Sequence, residues 1–278
     1  MADIKIEMTD YMGSDLKVCQ MAKDSFGRTT DWDRMDCDCG WTGIGSYCPI
    51  CDCDSCVGVL SDRDQRLLKM LARGMGDDEY EKLQSDIVKA AEYPDYSEAE
   101  RLLWKFRHTT PHLAPFGHNF ATFKFQAPVF VMRQIVKHEY IRISELSMRY
   151  VRGMPEYFRP KSWRAMADDV KQGSGGDHDD QLMFSDWMDL AEYDDSELYD
   201  HALLEELAPE QARMFLRLCH MTQGHLSGSM DALAGLVIKR LDPHAQEETR
   251  EFARQIDKAM SKVYPLSWAA LMEGVDRN

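Results

Sequence analysis

Two groups of residues in this chain have types and spacings that can do chemistry. The first is a cysteine cluster: six of the eight cysteines fall between Cys37 and Cys56. Cys37, Cys39, Cys48 and Cys51 form a C-x-C and a C-x-x-C pair, the pattern of a zinc ribbon, in which two tight turns aim four thiolates at one tetrahedral ion. Gly40 and Pro49 suit such turns. Cys53 and Cys56 exceed what one tetrahedral site takes, so a choice of ligands, two metals sharing sulfurs, disulfides and an iron–sulfur cluster all stay open. The second group is Arg149, Arg213 and Arg240, which lie in segments that otherwise read as a loop end and buried helix. A charge in such a place needs a partner. Guanidinium forks bind phosphate bidentately, and the Ser147 hydroxyl with loop N–H groups would complete an anion site. Pairing of each arginine with one of the many carboxylates is the alternative.

The elements that must position these residues follow from periodicity. Ile4 to Phe26 reads as a strand, a turn at Gly13 and a short helix. Ser61 to Ala91 is helical and broken by Gly74 and Gly76. Ser97 with Glu100 forms a capping box that starts a further helix through Leu102, Leu103 and Phe106. Phe123, Phe125 and Ala127 alternate with polar residues as in a half-buried strand. Pro128 ends that strand, and VFVMRQIVKH after it reads as a buried helix delivering Lys137 and His138. ISELSMRY reads as a loop. Asp168 to Asp200, with the run GSGGDHDD, reads as an acidic flexible insertion; Asp177, His178, Asp179 and Asp180 offer at most weak cation chelation. Ala208 to Met221, Gly228 to Arg240 and Asp242 to Val263 have helical spacing, the last with Asp242 as N-cap and Pro243 at the first helical position.

Several stretches resemble the flavin-dependent thymidylate synthases, the ThyX family. KHEYIRISELSMRY (Lys137 to Tyr150) is similar to the signature R-H-R-x-x-S-x-N-E-x-S-x-R-Y, matching at His138, Glu145, Ser147, Arg149 and Tyr150. HLAPFGH (His112 to His118) resembles H-x-T-P-F-E-H, and APVFVMRQ (Ala127 to Gln134) resembles A-P-x-F-V-x-R-Q. DYMGSDLKVCQMAKDSF, ending near Ser25, is similar to the opening strand and helix of the family. KRLDPHAQ (Lys239 to Gln246) resembles L-R-x-D-x-H-A-Q, and EQAR supplies Arg213 before it.

The resemblance implies an α+β fold, a mixed sheet packed by helices with a helical C-terminal third. It makes 1–278 a single ThyX-like domain, with the zinc-ribbon-like segment at 35–58 and the acidic insertion at 168–200 added to it. It also implies methylation of deoxyuridylate at carbon 5, with methylenetetrahydrofolate as carbon donor, FAD passing the hydride, NADPH as reductant, and active sites between subunits of a homotetramer. Position by position, Gln134, Glu145, Ser147, Arg149, Arg213 and Arg240 would bind the nucleotide, and Arg240, Ser147 and His112 would serve catalysis. Ser147 reads as a substrate-binding hydroxyl, because no His and Asp arrangement stands beside it in the motif. Ser25, His112, His118, Lys137, His138, Glu139 and His244 would face the flavin. The chain departs from the pattern at Glu139, Gly117, Arg142, Ser144, Ser229 and Gly235, which are Arg, Glu, Ser, Asn, Asn and Asn in the family. Three readings remain open: thymidylate synthesis, hydroxymethylation of dUMP or dCMP through capture of the methylene adduct by water, and a non-catalytic protein that binds nucleotides or interacts through its zinc-ribbon-like segment.

Composition narrows the classes further. The 278 residues are 44% hydrophobic and 29% charged, enough for a sizeable core and against bulk disorder. A net charge of −15 repels nucleic-acid phosphates and anionic lipid, and Asp31, Asp33, Asp36, Asp38, Asp52 and Asp54 give the cysteine segment no basic footprint. MADIKIEMTDYMG lacks the features of a signal peptide, and no stretch reaches the roughly 18 apolar residues of a membrane span. The expectation is a cytoplasmic protein.

Overall fold

The computed structural model describes residues 3–24, 34–36, 42–43, 57–60, 62–91, 111–167 and 173–277. Ser25, the cysteines from Cys37 to Cys56 and the capping box at Ser97 lie outside the described residues. The fold is α+β, and the chain forms two compact units.

The first unit comprises residues 1–11, 121–259 and 274–278. Its centre is a four-stranded sheet of order β1-β5-β7-β6, with β1 at Lys5–Met12, β5 at Phe120–Pro128, β6 at Ile141–Glu145 and β7 at Met221–Ser229. On β5 the expected alternation holds: Phe123, Phe125 and Ala127 are fully buried and Lys124 is exposed. Pro128 closes the strand and caps helix α4 (Val129–Ile135), whose first two N–H groups donate to the carbonyls of His220 and Leu218 at 3.1 and 3.0 Å. That satisfies donors that every helix start leaves open. Val131, Met132 and Ile135 of α4 join Leu233, Leu236 and Val237 of α7 (Met230–Leu241) and Phe252, Ala253 and Ile256 of α8 (Glu247–Val263) in the core. Phe125 and Phe252 meet ring to ring at 6.3 Å.

The second unit, residues 12–120 and 260–273, is built on α1 (Asp15–Asp24), α2 (Asp62–Arg73), α3 (Asp77–Ala91) and α9 (Pro265–Leu271). Gly13 makes the turn between β1 and α1 at φ +102, and a Cβ there would stand 1.9 Å from Asn119 Oδ1. Asp15 accepts the Leu266 and Ser267 N–H groups at 3.1 and 2.8 Å, capping α9 from a distant part of the chain. Trp268, Tyr264, Phe116, Leu68 and Val18 fill this core. Gly74 and Gly76 separate α2 from α3 as expected. Strands β2 (Arg34–Asp36), β3 (Thr42–Gly43) and β4 (Val57–Val59) pair antiparallel in the order β3-β2-β4.

Four sequence expectations change. ISELSMRY begins as strand β6, paired antiparallel with β7 from Ile141 opposite Gly228 to Glu145 opposite Gly224. Ala208 to Met221 is no continuous helix: α6 (Pro209–Ala212) and one 3-10 turn precede strand β7. The glycines of MTQGHLSGS hide this strand, yet Gly224 makes its pairing possible, since a Cβ there would lie 2.0 Å from the backbone atom Ser144 O. Helix α8 starts at Glu247, not Pro243; the Asp242 carboxylate accepts the His244 N–H at 2.8 Å in a turn before it. The fourth change is the acidic segment.

Over Gln181–Leu204 that segment is a 24-residue helix, α5, rather than a flexible stretch. Tertiary contacts override the composition. Phe184 packs against Trp163, His178 and Trp187 at 5.9, 4.8 and 5.4 Å. Arg159 pairs with Asp189 at 2.6 Å and with Glu192, while Arg217 pairs with Asp195 at 2.5 Å. Tyr199 is buried with Ala212 and Leu216 against Met148 and Met154. Asp189, Glu192 and Asp195 thus each have a cation, which offsets the acidic excess where the helix meets the rest of the unit.

Candidate active site

The predicted site residues fall into three groups. The first forms where α4 and α7 end. Helix α4 stops at Ile135, and the chain turns, with the His138 N–H donating to Ile135 O at 3.1 Å. Lys137 and His138 thus follow the helix instead of completing it. From the last turn of α7, Arg240 reaches this turn: its Nε donates to His138 Nε2 at 2.9 Å and its Nη2 to the Gln134 carbonyl at 2.8 Å. The Gln134 side chain donates from Nε2 to Gln246 Oε1 at 2.7 Å. Gln246 closes the KRLDPHAQ stretch and is the participant that sequence reasoning gave no role.

The electrostatics of this group are unusual for so acidic a protein. Arg240 is half-buried, and among the described residues no carboxylate pairs with it; both of its acceptors are neutral. Burial lowers its pKa, yet a guanidinium stays charged in proteins. Burial, with Arg240 and Lys239 close by, also lowers the His138 pKa to about 4, so the imidazole is neutral at pH 7 and its Nε2 lone pair is available. An uncompensated cation held by neutral groups is an anion site in waiting, because the cost of its burial is recovered when an anion arrives.

The second group follows β6. Leu146 N–H donates to Gln223 O at 2.8 Å, and the chain then turns at Ser147, whose carbonyl accepts Tyr150 N–H at 3.1 Å. The Ser147 hydroxyl accepts the Arg149 N–H at 3.4 Å, the bond of a serine turn and not of an activated nucleophile. Arg149 lies 5.3 Å from the Tyr150 ring centre and 3.8 Å from the Glu210 carboxylate. Arg213 donates to the Glu210 carbonyl at 3.2 Å. Both arginines are exposed, and Arg149 is loosely neutralised, so an incoming phosphate displaces little. Glu145 ends β6 exposed beside this turn.

The third group lies in the second unit. His112 and His118 line a cavity of about 1080 Å³ together with Met21, Lys23, Arg63 and Met70. Lys137, Glu139 and His244 are exposed in the first unit, so the residues assigned to a flavin are divided between the units. Among the described residues there is no cluster of three or more His, Cys, Asp or Glu that would hold a metal, and His178 instead accepts the Asp180 N–H at 3.0 Å. Among them, too, no helix is long and apolar enough to cross a membrane.

The fold is α+β, and two of these groups carry arginines at the ends of its elements. Residues 61–266 match the family described as thymidylate synthase complementing protein, and the chain belongs to that family, the one its motifs resemble. A flavin-dependent thymidylate synthase of Thermus thermophilus is 34% identical over 176 residues, which are 62% of this chain and 62% of that one. Another, from Kosmotoga olearia, is 28% identical over 215 residues, covering 74% of this chain and 93% of the relative. The chain thus spans about 62% of the length of the Thermus relatives it matches. The crystal structure of a UMP/dUMP methylase, PolB, from Streptomyces cacaoi bound with 5-Br dUMP aligns with a TM-score of 0.68. At 21% identity, and covering 100% of this chain and 98% of that one, it shares the fold.

Proposed function

We propose that this protein transfers a one-carbon unit to carbon 5 of a pyrimidine deoxynucleotide, converting dUMP to dTMP. The observation that carries the proposal is Arg240: half-buried, free of carboxylate partners among the described residues, and placed beside Gln134. As carbon 5 becomes nucleophilic, negative charge grows on the base carbonyls, and a fixed guanidinium against the base stabilises it. Gln134 reads the pyrimidine edge, while Arg149, Arg213 and the Ser147 turn hold the phosphate. The carbon–carbon bond forms as the carbon 5 proton leaves, methylenetetrahydrofolate gives up its methylene, and a hydride reduces that carbon to methyl. Relatives named as flavin-dependent thymidylate synthases and a UMP/dUMP methylase of the same fold support this substrate class.

Bound flavin supplies the hydride in this reading, with NADPH to reduce it. The cavity lining is mixed toward it: His112, His118 and Arg63 offer hydrogen-bonding groups and Met21 and Met70 offer apolar surface, while Asp64, Asp77, Asp78 and Glu79 also line the cavity and Lys23 is paired with Asp64. Structural zinc at Cys37, Cys39, Cys48 and Cys51 and a homotetramer with active sites between subunits complete the proposal. Hydroxymethylation is kept as a second reading because Glu139, exposed after His138, reverses the charge of the family's arginine there.

The test is to incubate the purified protein with dUMP, methylenetetrahydrofolate, FAD and NADPH and to identify the product by mass spectrometry. Formation of dTMP that requires FAD is the expected result. A hydroxymethyl product favours the second reading, and nucleotide binding with no product at all rejects both.

A further inference from the structure

We infer that His138 is a positioning residue, which fixes the Arg240 guanidinium for its ligand by accepting a hydrogen bond at Nε2. The inference rests on reading Arg240 as a nucleotide contact and goes beyond it, because His138 is otherwise assigned to a flavin.

The geometry gives each atom one task. Nε and Nη2 form one edge of the guanidinium, and both donate within the protein, to His138 Nε2 at 2.9 Å and to the Gln134 carbonyl at 2.8 Å. Two acceptors on one edge of a planar fork fix both its position and its plane. Nη1 and the outer proton of Nη2 are left for a ligand. Neither acceptor carries charge, so the full positive charge of Arg240 faces that ligand; a carboxylate in the place of His138 would fix the arginine equally well and neutralise it. The Nε2 atom can accept only while His138 is neutral with its proton on Nδ1. The charges facing the ring are Arg240 and Lys239 from α7, and both disfavour its protonation. On its own turn Lys137 and Glu139 flank it and are exposed. His138 therefore has no lone pair to spare for a cofactor, only the Nδ1 proton.

The inference distinguishes positioning from mere packing, because glutamine at 138 would carry an acceptor oxygen near the place of Nε2 and leucine would fill space without one. Two measurements test it on the full chain. In the first, dUMP affinity is measured by calorimetry for the wild type, His138→Gln and His138→Leu. Loss of a hydrogen bond to a charged group predicts roughly tenfold weaker binding for His138→Leu. His138→Gln should stay within about threefold of the wild type on the same scale, with both variants keeping the wild-type melting temperature. In the second, imidazole nitrogen resonances of the wild type are followed with pH. Nε2 should remain an unprotonated acceptor through the pH of about 6.5 at which a free histidine is half charged, and Arg240→Leu should raise the titration midpoint of His138.

Wild-type binding with unchanged affinity in His138→Leu overturns the inference and leaves the function standing, as does equal loss in His138→Gln and His138→Leu. An Nε2 that carries the proton at neutral pH overturns it without any nucleotide. A wild type that binds no pyrimidine nucleotide overturns the functional reading together with this use of Arg240.

Discussion

Arg240 concentrates the residue-scale argument, since its charge is held by neutral partners while several other arginines of the chain meet carboxylates. Arg159, Arg164 and Arg254, for example, each pair with glutamate. Replacing Arg240 by alanine should weaken dUMP binding by about 1.5–3 kcal/mol, the worth of a charge-assisted contact, and calorimetry measures this directly. Arg240→Lys should recover little of it, because an ammonium cannot meet His138, the Gln134 carbonyl and a ligand in one plane. The same site predicts a pH effect on stability. His138 has a folded-state pKa of about 4, below its unfolded value of about 6.5. Between these values the unfolded state binds more protons, so stability is fully present above about pH 6.5 and declines as pH falls toward the folded pKa. Urea denaturation midpoints across that window should show a decline in the wild type that His138→Gln reduces.

At the scale of elements, the pair β6–β7 positions both arginine groups, because β6 leads into the Ser147 turn and β7 leads into α7. Its close approach depends on Gly224, where a Cβ would meet Ser144 O at 2.0 Å and the Phe125 ring at 2.9 Å. Gly224→Ala should therefore cost at least the ~1–3 kcal/mol of a core overpacking, read as a drop in melting temperature, whereas the same change at Gly235, which has open space around it, should cost little. Phe252→Ala, which empties a place against Phe125, should cost about 3–5 kcal/mol. These elements differ in how legible they are from sequence. β5 and α4 announce themselves, since Phe123, Phe125 and Ala127 alternate and Pro128 marks the junction. β7 does not, because glycines that permit tight pairing also erase the alternation. Helix α5 is hidden for the opposite reason: its acidic residues are ordered by Arg159 and Arg217, whose positions no local pattern discloses. The residues proposed to bind the nucleotide are picked out by family motifs. The bond between His138 and Arg240 spans 102 residues and links two motifs that say nothing of each other.

At the scale of the whole molecule, a net charge of −15 sets the terms on which any nucleotide approaches. A doubly charged nucleotide phosphate is repelled at long range, while the contacts that hold it, from Arg149, Arg213 and Arg240, act at hydrogen-bond distance. Salt separates the two. At about 0.01 M ionic strength the Debye length is roughly 30 Å, so an approaching anion feels most of the chain; at about 0.15 M it is roughly 8 Å, and only the nearest charges act. Partly buried contacts lose much less over the same range. The association rate of dUMP should thus rise with added salt between these limits, while dissociation, which breaks the exposed Arg149 and Arg213 contacts as well as the half-buried Arg240 one, should speed up modestly. This is the reverse of a basic nucleotide-binding surface, where salt slows association. Stopped-flow measurement of both rates on the full chain decides it. An association rate that falls with salt would mean that the exposed arginines around the Ser147 turn dominate the field well beyond contact distance.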